Sequence, residues 1–144
     1  METRTQVILI VAILLFLAGG IIGYHLYREW NTPKEITKHY FKTNETVNAK
    51  SEIVLEFYSK AGGNITGNIS ATAEVSLYIL DVVNYLEYVR NHNILDVSAK
   101  LSKNGTQISI EWLVPSDNYW YVLIYNPHNA TIGVSYDVWC RYLS

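Results

Sequence analysis

Only one cysteine, Cys140, stands in the 144 residues, so no disulfide can form within the chain and its fold must rest on packing and hydrogen bonding. Histidine is equally thin. His25, His39, His92 and His128 lie far apart, without the close pairs that zinc sites commonly use. A blue-copper site would need a histidine and a sulfur ligand soon after the cysteine. Cys140 is followed only by Arg141, Tyr142, Leu143 and Ser144, and the sole methionine is Met1. Charge of one sign is also missing. Eleven basic and thirteen acidic residues give a net charge of −2, with no basic stripe to draw nucleic-acid phosphates. The nearest to a basic run, Lys34, Lys38 and Lys42, reads as a solvated face. No repeat or low-complexity segment is present.

The motifs of catalysis are absent too. Gly133-Val134-Ser135-Tyr136-Asp137 begins like a nucleophile elbow but lacks the closing glycine. Glu56, Glu74, Asp96 and Glu111 alternate outward along strand-like stretches, with nothing to pair them for acid–base work. The expectation is a chain that is not an enzyme and has no catalytic residues, cofactor or metal.

What is there begins with Val7–Tyr24, eighteen residues without a charge, about 27 Å as a helix and enough to cross a bilayer. Tyr24, Tyr27 and Trp30 follow as one half of an aromatic belt. The predicted organisation is a flank over residues 1–6, a transmembrane anchor over 7–27, a juxtamembrane stalk over 28–35 and a β-sandwich over 36–144. A cleaved signal peptide is the competing reading, because Ala18 and Gly20 have the small-residue spacing of a processing site. Flanking charge, Arg4 against Arg28, Lys34 and Lys38, argues for a cytoplasmic domain. Five N-glycosylation sequons, at Asn44, Asn64, Asn68, Asn104 and Asn129, argue for an outside one. The sequons carry more weight, since long domains translocate largely regardless of charge. The expected placement is a single-pass protein of the cell membrane or envelope with its C-terminal domain outside. Its partners would be the lipid bilayer, N-linked glycans and other membrane or surface proteins.

Beyond the stalk the pattern has period two. Ile53, Leu55 and Phe57 share one parity, and the odd positions Ile65 to Ile79 hold another long apolar series before a polar alternate set. Asp81 to His92 changes to helical spacing, with Asp81 as the cap and Val82, Tyr85, Leu86 and Val89 as the apolar face. Leu95–Leu101 and Ile108–Val114 alternate on either side of Asn104-Gly105, which predicts a tight hairpin. Asn118–Tyr125 is apolar on both parities, as a central strand would be. Ile132, Val134, Tyr136, Val138, Cys140 and Tyr142 share one face of a last strand, which puts the Cys140 thiol in the core. The fold class is all-β, an antiparallel β-sandwich with one short helix, preceded by a single N-terminal transmembrane helix.

Residues 63–142 also carry a resemblance. Ser76-Leu-Tyr-Ile-Leu-Asp81 ahead of a short helix, and Tyr119-Trp-Tyr-Val-Leu-Ile-Tyr-Asn126 near the end, resemble GOLD-type β-sandwich domains of membrane-anchored surface proteins and Golgi-traffic cargo receptors. The resemblance implies the sandwich and a general role in protein contact. It implies no trafficking, because those receptors place the membrane span after the sandwich and carry a disulfide.

One surface is singled out, the aromatic set Tyr119, Tyr121 and Tyr125 on one parity of a strand with Trp139 outward on the next. It would suit a partner protein or a sugar ring, while the simpler reading has the rings merely covering a sheet face. The function expected is a non-catalytic interaction or structural protein, such as a single-span accessory subunit of a membrane or envelope assembly. A glycan- or ligand-binding receptor and a pilin-like filament subunit are the alternatives.

Overall fold

The computed structural model describes residues 2–144, with side chains from Gln6 onward except that of Asp96. The chain forms two compact units, one ending at Lys34 and one spanning Glu35–Ser144. The first is a single helix, α1 (Glu2–Asn31). From Gln6 to Asn31 it is long and apolar enough to cross a membrane, and none of that stretch is buried against protein. Its last-turn carbonyls are satisfied locally: the Asn31 amide donates to Tyr27 O and the Thr32 hydroxyl to Arg28 O. The helix therefore runs four residues into the segment expected as a stalk. Arg28, Glu29 and Trp30 all tolerate helix, and the first true breaker is Pro33.

The second unit has six strands: β1 (Glu35–Val47), β2 (Glu52–Ser59), β3 (Asn64–Asp81), β4 (Leu101–Leu113), β5 (Asn118–Tyr125) and β6 (Ile132–Leu143). All pairings are antiparallel. β3 decides the architecture. Its first half, Asn64–Ala71, pairs with β6, and its second half, Ser76–Asp81, pairs with β5. β4 follows along its other edge, with an irregularity between Ser70 and Val75. The ribbon β3–β4 thus belongs to two sheets, β1-β6-β3-β4 and β2-β5-β3-β4, which face one another as a sandwich. Alternate residues fill the space between them: Leu55 and Phe57 from β2, Ile65, Leu77 and Ile79 from β3, Trp120, Val122 and Ile124 from β5, and Val134, Val138 and Cys140 from β6. Cys140 is fully buried, and burial pushes its thiol up, the direction that leaves it inert. At the open side, the Lys38 ammonium and the Tyr40 hydroxyl of β1 both donate to Glu56 O of β2.

Gly67 is required by the close passage of β6. A Cβ there would lie 2.2 Å from Asp137 O and 2.8 Å from Val138 Cα.

The chain leaves β3 directly into α2 (Val82–Asn91). Asp81 caps it as the sequence predicts, its carboxylate accepting from the Asn84 N–H and side-chain amide at 2.9 Å each. The buried face differs from the expected one. Tyr88 is buried and Val82 and Tyr85 pack beside it, whereas Leu86 and Val89 are exposed. The cap fixes where the helix starts, and the large rings of Tyr85 and Tyr88 take the sheet-facing positions. They cover the outer face of β3 and β5, where Leu80, Tyr121 and Leu123 form a second apolar cluster.

The Asn104-Gly105 hairpin is not formed. β4 runs continuously through it, with Asn104 opposite Ser76 and Gly105 opposite Val75. The expected partner segment, Leu95–Leu101, is instead a 3-10 turn (Ile94–Asp96) and an irregular stretch that enters a strand only at Leu101. β3 is long enough to satisfy β4 on both sides of the glycine, so a self-paired hairpin has nothing to add. Gly105, at φ +156°, marks where the ribbon passes from one sheet to the other.

Candidate functional site

A cleft of about 620 Å³ opens on the outer face of the β2-β5-β3-β4 sheet beside the C-terminal end of α2. Its floor follows from register. Glu52 lies opposite Tyr125, Tyr125 opposite Ser76, and Ser76 opposite Asn104, so one polar row crosses four strands at about 4.8 Å per step. Outer-face parity delivers these four together. α2 stops at Asn91 and leaves this end of the sheet uncovered, with Tyr88 and His92 forming one wall. Lys50 and Pro127 stand at the other side, the Lys50 ammonium donating to Pro127 O.

Two wall residues have an uncommon backbone. Lys50 (φ +56°) and His92 (φ +51°) are held in the left-handed region, which leaves Asn44 as the third such non-glycine residue among those described. Each such conformation costs on the order of 1 kcal/mol that a glycine would avoid. At His92 it closes α2, the His92 N–H donating to Tyr88 O at 2.7 Å. Burial, followed by the Glu52 carboxylate that accepts from its hydroxyl, raises the Tyr88 pKa. The cleft therefore offers a carboxylate, hydroxyls, an amide and tyrosine rings around one space. That set can hold and orient a small polar molecule.

The aromatic surface expected from sequence is divided. Tyr119 is exposed and meets Tyr58 edge-on at 5.3 Å. Tyr121 is buried beneath Tyr85, stacked at 3.9 Å, and burial together with a hydrogen bond to Glu56 pushes its pKa up to about 12. Tyr125 is in the cleft. Trp139 belongs to the other sheet, on the face of β6 away from the core, stacked on His39 at 3.5 Å. His39 Nε2 lies 2.7 Å from Asp137 Oδ1, and the Arg141 guanidinium is 5.0 Å from the Trp139 ring. β5 and β6 are not paired to each other, so parity within each strand could not bring the four rings onto one face.

All five sequon asparagines are exposed. Asn44 sits at the irregularity of β1, Asn64 and Asn68 on the outward parity of β3, Asn104 on the cleft rim and Asn129 between β5 and β6. Glu56, Glu74 and Glu111 are exposed as expected, and the side chain of Asp96 lies outside the described residues. Among the described residues, no three His, Cys, Asp or Glu side chains come together as a metal site would need. Sequence reasoning did not find Glu52, Tyr88, Lys50 or His92. Their grouping depends on cross-strand register and on where α2 stops, and the only hint in sequence is His92-Asn93 after a helical pattern.

No family model matches the chain, and no curated protein matches it. Solved structures share the β fold at low identity. The periplasmic lysozyme inhibitor of g-type lysozyme from Aeromonas hydrophila is 11% identical, with TM-score 0.47, over 75% of this chain and 85% of that one. The mitogen of Yersinia pseudotuberculosis is 17% identical, with TM-score 0.44, over 74% and 86%. A Bacillus endospore appendage protein, from disulfide-linked pili, is 11% identical, with TM-score 0.46, over 79% and 93%. None of these three is a GOLD-type domain.

Proposed function

We propose that the chain is a single-span membrane protein whose β-sandwich stands outside the cell and acts by binding, without catalysis, alongside other membrane or surface proteins. The observation that carries this reading is α1. Over Val7–Tyr24 it carries no charge on any side and none of its span is buried, and such a surface is matched by lipid rather than by water. The exposure of all five sequon asparagines supports the outside placement, because a glycan needs an open site.

The test is translation of the full chain with glycosylation-competent microsomes. The expected product carries glycans removable by endoglycosidase, stays with the membrane in alkaline carbonate and keeps its N-terminal segment by mass. A glycan-free chain whose sandwich is digested by protease added outside the vesicles would overturn the orientation. A glycosylated product shortened near Ala18–Gly20 and released by carbonate would overturn the anchor.

A further inference from the structure

We propose that the cleft over Glu52, Tyr125, Ser76 and Asn104 is a carbohydrate site that takes one neutral sugar ring. The inference deepens the reading of the sandwich as a binding module. Four observations carry it. The volume, about 620 Å³, lies in the range of small-molecule sites and has room for a hexose with its substituents. The floor sets a carboxylate, two hydroxyls and an amide side by side across four strands, acceptors and donors that suit a ring bearing hydroxyls around its edge. Tyr78 and Tyr125, both half-buried along the lining, supply rings for the apolar face of a sugar. The lining holds one Lys and one Glu of opposite charge, Lys50 bonded to Pro127 O and Glu52 accepting from Tyr88, so it carries no net charge and suits a neutral ligand whose hydroxyls match its polar groups.

The backbone adds an independent argument. Lys50 and His92, on opposite walls, both keep a left-handed conformation that glycine would hold without strain. Long polar side chains at two such positions around one cavity point to a use for the side chains themselves.

The same sugar chemistry has two sources, a separate glycan and the chain's own N-glycan on Asn104 at the rim. The experiment uses the full chain made without glycans, in lipid nanodiscs free of sugar-based detergent. Saturation-transfer NMR is recorded with N-acetylglucosamine, glucose, galactose and mannose in turn, at millimolar concentration. Transfer to the ring protons of at least one sugar is expected, weakened roughly tenfold or more in affinity by Glu52→Gln, which removes a charged hydrogen-bond partner. His92→Gly should weaken it too while raising the melting temperature, since glycine suits the helix end. That variant keeps the test open should Glu52→Gln fail to fold.

The glycosylated chain then separates the sources. Transfer retained there assigns the cleft to a separate glycan. Transfer abolished there, and restored by Thr106→Ala, which deletes the sequon and keeps Asn104, assigns it to the chain's own glycan. Absence of transfer to all four sugars, or transfer undiminished in either folded variant, would overturn the proposal. Neither result bears on anchoring or orientation, which the microsome experiment reads separately.

Discussion

At the scale of single residues, Asn126 joins three segments of the fold through one side chain. Its side-chain N–H groups face three carbonyls, of Val47, Asn48 and Ala130, at 2.8–3.2 Å, and its Oδ1 accepts from the His128 N–H at 2.9 Å. The side chain is fully buried, and it ties the ends of β1 and β5 to the loop before β6. Asn126→Asp would turn a carboxylate toward the same three carbonyls. We expect a loss of about 3–5 kcal/mol, read as a lower urea midpoint with unchanged slope. Gly67→Ala should destabilise too, to a lesser degree and for a steric reason, because the atoms it meets are backbone and cannot rotate away. An overpacking cost of about 1–3 kcal/mol is expected, measured the same way. Neither role was legible in the sequence. Asn126-Pro127 reads as a turn and Gly67 passes unmarked within the period-two run of β3, while the requirement in each case comes from a segment distant in the chain.

At the scale of elements, α2 shows how a cap can be read in advance when a buried face cannot. Burial alone would raise the Asp81 carboxyl, but hydrogen bonds from the Asn84 backbone and side chain, helped by the Lys100 ammonium, outweigh it and lower its pKa. Asp81→Ala should cost about 1 kcal/mol and reduce helical signal. The pH dependence has a definite sign. With the folded value lowered, the stability from Asp81 is present above its unfolded pKa and is lost as pH falls through the folded one. Asp81→Asn should keep the cap yet flatten the stability profile as pH falls below the ordinary carboxylate range, about pH 4. Asp81 was legible because a cap is a local contact, within three residues. The sheet-facing stripe was not, since leucine and tyrosine compete for it and the partner strand decides. Likewise Asn104-Gly105 carries a true signal for a backbone irregularity, and only the length of β3 determines that the irregularity bends a strand instead of reversing it. The period-two runs of β2, β3 and β6 and the doubly apolar β5 were fully readable, because burial on one face or two writes itself directly into the sequence.

At the scale of the whole molecule, the buried tyrosines set an alkaline limit. Tyr121 is pushed up to about 12 by burial first and by the Glu56 hydrogen bond next. Burial and Glu45, which accepts from the Tyr136 hydroxyl at 2.7 Å, raise Tyr136 as well. A folded value above the unfolded one means that stability is intact below about pH 10 and declines as pH climbs toward the folded values. Absorbance titration of the folded protein should show tyrosine ionisation spread over more than one class. A late class should then appear together with unfolding. Tyr121→Phe should remove part of that late class and leave the fold intact, as its ring keeps the stack on Tyr85.

The pairing of β1 with β6 has a consequence in time. Glu35 lies opposite Leu143 and Val47 opposite Ile132, so the first strand made is zipped along its length to the last. During synthesis β1 waits, exposed and without a partner, while about a hundred residues follow it. Closure of this sandwich is therefore an event after translation of β6, and any stall before Ile132 presents the cell with a chain whose opening strand is still looking for an edge.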